Sequence, residues 1–318
     1  MTVDRKLPVP RFVAYGALSL IAIAVVAVAA LWYRPVLRPG PAIPNQAFAL
    51  LAPFEGIRLH VFNTGMNRMS WLLVGDARPW RPNPAFVIEH PSRGLVVFDT
   101  GLSKAVAEHG EAAYPVPLRY LMESIGRPDR TLDAQMIEAG LDPKAVRFVI
   151  ISHLHDDHTG RIAAFPDATV IAGPQSGAAL ADLAPAAQRR VLTFQKTTSL
   201  PPFDASVDLF GDGSLQLVAG GGHTAEDVMA LVALPDGPAL LAGDAIVHRD
   251  WLVSDDVQRV PVDPDRAAVV RNQVRALIRG VPRLALFAGH DTPPASAPTR
   301  EDITLHHADW FALPAWTR

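Results

Sequence analysis

An α/β sandwich is the fold class this sequence predicts, and three observations predict it. In both halves of the chain, apolar runs of strand length are interspersed with helix patterns. Several of those runs end on a glycine followed by an acid or a histidine, as in Gly243-Asp244 and Gly289-His290. One run, Phe148 to Ile151, leads straight into His153, Leu154, His155, Asp156, Asp157 and His158. No repeat at a fixed period competes with this reading.

Taken in order, residues 1–11 form a short tail carrying Arg5, Lys6 and Arg11. Residues 12–33 carry no charge, and as a helix they would span roughly 30 Å, the hydrocarbon thickness of a bilayer. Trp32 and Tyr33 stand where an interfacial aromatic belt would lie, and Arg34 and Arg38 follow. We read 12–33 as a transmembrane anchor with the N-terminus in the cytoplasm and the main domain outside it. A cleaved secretory signal with Ala27 and Ala29 at its small-residue site is the alternative, giving a secreted domain. Residues 34–54 read as a semi-rigid linker, because Pro35, Pro39, Pro41, Pro44 and Pro53 favour extended backbone. The globular domain then occupies 55–318.

Within that domain, Ile57 to Phe62 reads as the first strand and Leu95 to Phe98 as a buried one ending at Asp99. Thr131 is placed to cap a helix through Ala139, with Gly140 as its stop. Arg147 to Ser152 is the strand that carries the histidine cluster. Thr169 to Ala172 is a further strand, followed by a helix begun at Pro174. Leu215 to Ala219, Val228 to Leu234 and Ala239 to Leu241 read as strands, the last two joined by a turn at Pro235-Asp236-Gly237. Asp263 and Pro264 start a helix that runs through Ile278 and closes at Gly280, and Leu284 to Phe287 is the last strand.

Composition narrows the chemistry. Of 318 residues, 49% are hydrophobic, enough to bury a sizeable core. A formal net charge of −3 implies no basic face, which argues against nucleic acid as partner. The absence of cysteine removes disulfides, thiol nucleophiles, iron–sulfur clusters and thiolate-bound zinc together. No Gly-x-Ser-x-Gly elbow is present. Oligomeric state is not set by the sequence.

The cluster at 153–158 places four ligand-type side chains within six residues on a loop leaving a strand, a metal-site architecture. Imidazole and carboxylate are what zinc takes when thiolate is missing, although iron, manganese and cobalt accept the same donors. His223, Asp244 and His290, each behind glycine at a strand end, supply what a two-metal site would still lack. Two divalent ions a few ångströms apart share a water and lower its pKa toward neutrality, giving a bridging hydroxide as nucleophile.

With those residues, and with Phe98-Asp99-Thr100-Gly101 ahead of them, the chain resembles the metallo-β-lactamase-fold hydrolases over about residues 55–295. Within that superfamily it is most similar to the N-acyl-homoserine-lactone lactonases, through Ala85 to Pro91 leading into Val96 to Gly101. The resemblance implies two mixed β-sheets face to face with helices outside and metals at one edge. It also implies a ligand set. His153, His155 and His223 would hold one Zn²⁺; Asp157, His158 and His290 would hold a second; Asp244 would bridge them. Asp99 would fix a histidine ligand through its free N–H. Asp156 falls at a variable position of the motif. Asp157 is the candidate proton shuttle.

The implied activity is hydrolysis of a lactone or related ester, with acyl-homoserine lactone ring opening as the specific expectation. A phosphodiesterase or organophosphate hydrolase and a thioesterase share the site, and a non-catalytic, membrane-tethered binding protein is the alternative of another class. That last reading would leave degenerate ligand positions, whereas all seven are filled. Two departures bear on substrate. Relatives often follow the third-motif histidine with Thr-Pro-Gly, where this chain has Thr224-Ala225-Glu226-Asp227. The tyrosine that lactonases often carry three residues after the bridging aspartate is Val247 here, with His248 beside it as a substitute or as an exposed residue without a role. Met66, Met69, Trp71 and Trp80 in a stretch read as loop-rich, with Tyr114, Tyr120 and Met122, are candidates for an apolar acyl pocket or for ordinary core.

Overall fold

Alternating burial along the strands divides the side chains between two faces, and that period of two builds the sandwich. The structure is a computed structural model. It describes residues 22–25, 36–43, 52–69, 80–184, 188–194, 200–257, 262–281 and 283–291. The first half contains β1 (Val36–Leu37), β2 (Arg58–Met69), β3 (Arg81–His90), β4 (Gly94–Phe98), α1 (Lys104–His109) and β5 (Met122–Ile125). There follow α2 (Leu132–Glu138), β6 (Val146–Ile150), α3 (Asp156–Thr159), β7 (Thr169–Ala172), α4 (Gly177–Leu183) and β8 (Gln188–Val191). The second half contains β9 (Ser206–Asp208), β10 (Leu215–Ala219), β11 (Val228–Val232), β12 (Ala239–Leu241), β13 (Asp256–Val257), α5 (Pro264–Gly280) and β14 (Ala285–Phe287).

Two mixed sheets result. One has seven strands in the order β5-β2-β3-β4-β6-β7-β8, the other five in the order β14-β12-β11-β10-β9. Odd and even positions separate cleanly. Leu59, Phe86, Phe98 and Ile150 of the larger sheet meet Leu217, Ala230, Leu241 and Phe287 of the smaller one in the central core. Their neighbours Val87, Val97, Val149 and Val170 turn outward onto Leu132 and Met136 of α2 and Leu180 of α4. Across the molecule, Val218, Met229, Leu231 and Leu240 turn outward onto Val270, Val274 and Leu277 of α5. Each fully buried side chain of this kind contributes about 1.5–3 kcal/mol of transfer free energy.

Several sequence expectations hold to the residue, among them the strands at 169–172, 215–219 and 239–241. Asp263 caps α5, its carboxylate accepting from the backbone N–H of Asp265 and Arg266. Others change. The first strand runs on to Met69, so Met66 and Met69 lie in sheet and not in loop, and Met66 and Trp80 pack as core against each other. Trp71 lies outside the described residues. Thr131 occupies the cap position of α2, but its hydroxyl donates to the Pro128 carbonyl and makes no cap bond. The helix expected from Pro174 begins at Gly177, because Gln175 takes a left-handed φ of 71° that a helix cannot contain.

Part of the expected linker is docked. β1 pairs antiparallel with β13, and Asn272 of α5 donates to the carbonyls of Pro39 (2.7 Å) and Pro41 (2.9 Å). Arg271 donates to the Arg38 carbonyl. Proline leaves its carbonyl free and has no N–H to satisfy, so the proline-rich segment after β1 suits a one-sided partner. Of the expected transmembrane helix at 12–33, only 22–25 are described, one exposed helical turn; the remainder lies outside the described residues. Among the described residues no helix is long and apolar enough to cross a membrane.

Candidate metal centre

Both sheets end at the same edge, and their strand ends carry the seven expected side chains. Backbone bonds lock these loops together. Val228 N donates to Ser152 O (2.8 Å), and His290 N donates to Val247 O (2.7 Å). Glycine is required where the loops touch. A methyl group at Gly289 would overlap the Asp244 carboxylate, and one at Gly243, whose φ is +49°, would stand 2.6 Å from Ser152 Cβ.

Two donor groups form there. His153, His155, His223 and Asp244 make one, and Asp157, His158 and His290 make the other; within each group the donor atoms lie within 4.8 Å of one another. His155 Nδ1 is 2.8 Å from His153 Nε2 and 3.1 Å from His223 Nε2. Three imidazole nitrogens converging on one point cannot all be satisfied by each other's protons, but they can be satisfied by a cation. Asp244 sits between the groups, with Oδ2 3.4 Å from His223 Nε2 and Oδ1 3.3 Å from His290 Nε2. His158 Nε2 and Asp244 Oδ1 are buried without a hydrogen-bond partner, 3.5 Å apart. Unpaired buried polar atoms are costly, and two aimed at the same gap fit a divalent ion.

The outer nitrogens of two rings are held so that the inner ones face the gap, where a cation would displace their protons. His158 Nδ1 donates to Asp99 Oδ2 (2.8 Å) and His290 Nδ1 donates to the Pro82 carbonyl (2.7 Å). Asp99 also accepts from Ser152 N and Ser152 Oγ, both at 2.7 Å. Ser152 has thereby used its proton, so His153 Nδ1, 3.1 Å away, is the donor to its oxygen. Asp99 reaches this position with φ at +57°, a conformation Asp tolerates better than most residues.

Charge divides the two groups. Burial pulls His223 down to about 4 despite the opposing Asp244, and burial with the neighbouring rings holds His153 well below its ordinary value. Burial also works against charge on His158, but Asp99, Asp157 and Asp244 outweigh it and lift the ring to about 10. His290 is raised by Asp244 and Asp157 against the same burial. Burial would raise both Asp157 and Asp244, yet the imidazoles around them hold both carboxyls low. The carboxylates are therefore ionised and ready to ligate.

A cavity of about 330 Å³ opens over these groups. Met69, Leu118, Met122, Leu154, Val247 and Trp251 give it apolar walls, and Asn67, Arg81, Tyr114 and Asp156 add polar ones. Of the residues offered as pocket or core, Met69, Tyr114 and Met122 line the cavity, Met66 and Trp80 are core, and Tyr120 is exposed. Val247 lines the wall. His248 does not: it is fully buried beside Trp251, so neither a substitute at the pocket surface nor an exposed, idle side chain describes it. Asn67, Arg81, Leu154 and Trp251 went unrecognised in the sequence. Leu154 alone left a signal, an apolar residue set between two histidines.

A family model for the metallo-beta-lactamase superfamily matches residues 78–297. An N-acyl homoserine lactonase AttM from Azorhizobium caulinodans is 33% identical over 179 residues, covering 53% of this chain and 66% of that protein. The Agrobacterium fabrum AttM is 31% identical over the same shares. The chain thus spans just under two-thirds of the curated relatives it matches. Among solved structures, a Bacillus thuringiensis AiiA variant with N-decanoyl-L-homoserine bound at its active site superposes with a TM-score of 0.62. It is 17% identical and covers 76% of this chain and 94% of that one. AidC, described as a dizinc quorum-quenching lactonase, superposes with a TM-score of 0.51 at 13% identity, covering 78% and 92%. The fold, the converging histidines and carboxylates, and a match across most of the chain lead to one conclusion: this chain belongs to the metallo-β-lactamase superfamily.

Proposed function

We propose that this protein is a two-metal hydrolase that opens the ring of acyl-homoserine lactones. The observation that carries the reading is the pair of facing donor groups at the base of an apolar cavity. His153, His155 and His223 would hold one divalent cation, preferably Zn²⁺. Asp157, His158 and His290 would hold the other, and Asp244 would bridge the two. When bound, such a pair supplies Lewis-acid activation of water and of a carbonyl oxygen.

The chain's own residues do the rest. Asp157, ionised and facing the cavity, takes a proton during attack and returns it to the leaving alkoxide. The walls at Met69, Leu118, Met122 and Trp251 bury an acyl chain and keep bulk water off the reacting carbonyl. The lactone names of the AttM relatives favour this substrate among those the centre could serve. The charge-free run at 12–33, with Arg5, Lys6 and Arg11 before it, favours an anchored domain outside the cytoplasm.

The test is a hydrolysis panel on the zinc-loaded full chain, comparing N-decanoyl-homoserine lactone with a thioester and a phosphodiester. Lactone turnover is expected to dominate, and Asp157→Asn is expected to lower kcat by about 10²–10⁴-fold. A protein holding two zinc ions that prefers the phosphodiester would move the assignment to phosphoryl transfer. One that turns over none of the three would favour a binding protein.

A further inference from the structure

We infer that Asn67 is the residue that positions Asp157, and that Tyr114 in the pocket wall and Ser124, buried between it and Asn67, dictate its orientation. The inference deepens the two-metal hydrolase reading and rests on it for the role of Asp157.

Asn67 lies on β2 and is buried at the cavity wall. Its Nδ2 donates to Asp157 Oδ2 at 3.0 Å and to Asn83 Oδ1 at 3.1 Å. Its Oδ1 accepts from Ser124 Oγ at 2.7 Å. Ser124 has then used its one proton, so the contact of 3.1 Å to Tyr114 Oη must be donated by the tyrosine. Every proton in the row therefore points the same way: Tyr114 to Ser124, Ser124 to Asn67, Asn67 to Asp157. Turning the amide over would set Oδ1 against the Asp157 carboxylate, which can only accept. The direction is thus fixed by the acceptor-only carboxylate at one end, and the phenol at the other donates to complete it.

The frame beneath this row is rigid. Asn67 and Ser124 are direct partners across β2 and β5, and Asn67 faces Arg81 across β2 and β3. Asp157, by contrast, sits in the single turn of α3. Among the described residues Asn67 is the one hydrogen-bond donor to its carboxylate; His290 Nε2 stands off at 3.4 Å and His158 Nε2 at 3.9 Å. A neutral amide suits the task. It steers an anionic side chain and favours its ionised form without placing a positive charge where a cation must sit.

The test uses the metal-free full chain and two readouts. Co²⁺ is titrated in, with the d–d absorbance of each ion recorded, and N-decanoyl-homoserine lactone turnover is then measured on loaded protein. Asn67→Leu is expected to weaken the second Co²⁺ by about tenfold or more while leaving the first within about twofold. It is expected to lower kcat with little change in KM. Ser124→Ala and Tyr114→Phe are expected to do the same more weakly, by ~2–10-fold, and Ser124→Thr, which keeps the hydroxyl, to restore wild-type values. Equal weakening of both ions, or a second ion and kcat unaffected by all three deletions, overturns the inference. If Asn67→Leu does not fold, the Ser124 and Tyr114 variants decide. Wild-type protein that binds two ions and leaves the lactone intact would sink the substrate reading alone, because the Co²⁺ arms still judge Asn67.

Discussion

Asp227 shows how a single side chain can hold a ligand loop. Its carboxylate accepts from Thr224 N at 3.1 and 3.0 Å and from Thr224 Oγ1 at 2.5 Å, next to His223. Burial pushes this carboxyl up to about 7. The folded protein therefore keeps a proton here that the unfolded chain, titrating near 4, has lost. Between roughly pH 4 and 7 the native state binds more protons, so stability falls as pH rises through that window and levels off above it. Asp227→Asn keeps an acceptor and removes the charge. Melts should show it gaining roughly 1–3 kcal/mol over wild type at about pH 8 and nothing at about pH 4; an equal offset at both would rule the explanation out. Asp99→Ala tests the other support: loss of the acceptor for His158 Nδ1 should weaken metal binding at the Asp157, His158 and His290 group by about 10–100-fold in a chelator competition. The seven donor side chains were legible in the sequence because few residue types ligate metals and each followed a strand. Asn67 and Ser124 were not. Amides and hydroxyls occur everywhere, and the contacts that give these two meaning join positions 90 and 57 residues apart.

At the scale of elements, legibility follows local determination. α5 carries its own start in Asp263 and Pro264, and the structure keeps both; the expected stop at Gly280 falls inside the last turn, and Val281 caps the helix. Its apolar stripe is equally local and packs on β11 and β12, and Leu277→Ala, at a fully buried position, should cost about 2–5 kcal/mol in denaturant melts; a loss well under about 1 kcal/mol would contradict that packing. β2 is the opposite case. Its second half owes its strand character to β5 and to a register shift between Asn63 and Met66, neither visible in the local pattern. Its partner β3 carries Pro82 and Pro84 near its start, and both are accommodated in the ladder beside that shift. Gly289 joins the two scales. Gly289→Ala should leave the core folded and still abolish tight metal binding, since the added methyl displaces Asp244; normal metal content in that variant would show the close approach to be dispensable.

Across the whole molecule, the donor groups bridge the two sheets. His153, His155, Asp157 and His158 leave the seven-stranded sheet, while His223, Asp244 and His290 leave the five-stranded one. Ions bound there would tie the two layers together in the native state alone. Chelation should then lower Tm in calorimetry, by the equivalent of about 4 kcal/mol when free metal stands a thousandfold above Kd. A Tm indifferent to chelator would be incompatible with ligands drawn from both sheets. The docked segment at 36–43 has a consequence for any anchor upstream. From Tyr33 to Val36 the backbone can reach at most about 11 Å. A domain so closely leashed could not tumble freely above a bilayer; it would present one fixed side to the lipid. β13, where the leash is stitched down, lies only a few residues past Trp251. Whichever way the cavity mouth then looks, toward headgroups or toward open water, would be settled by geometry and not by diffusion.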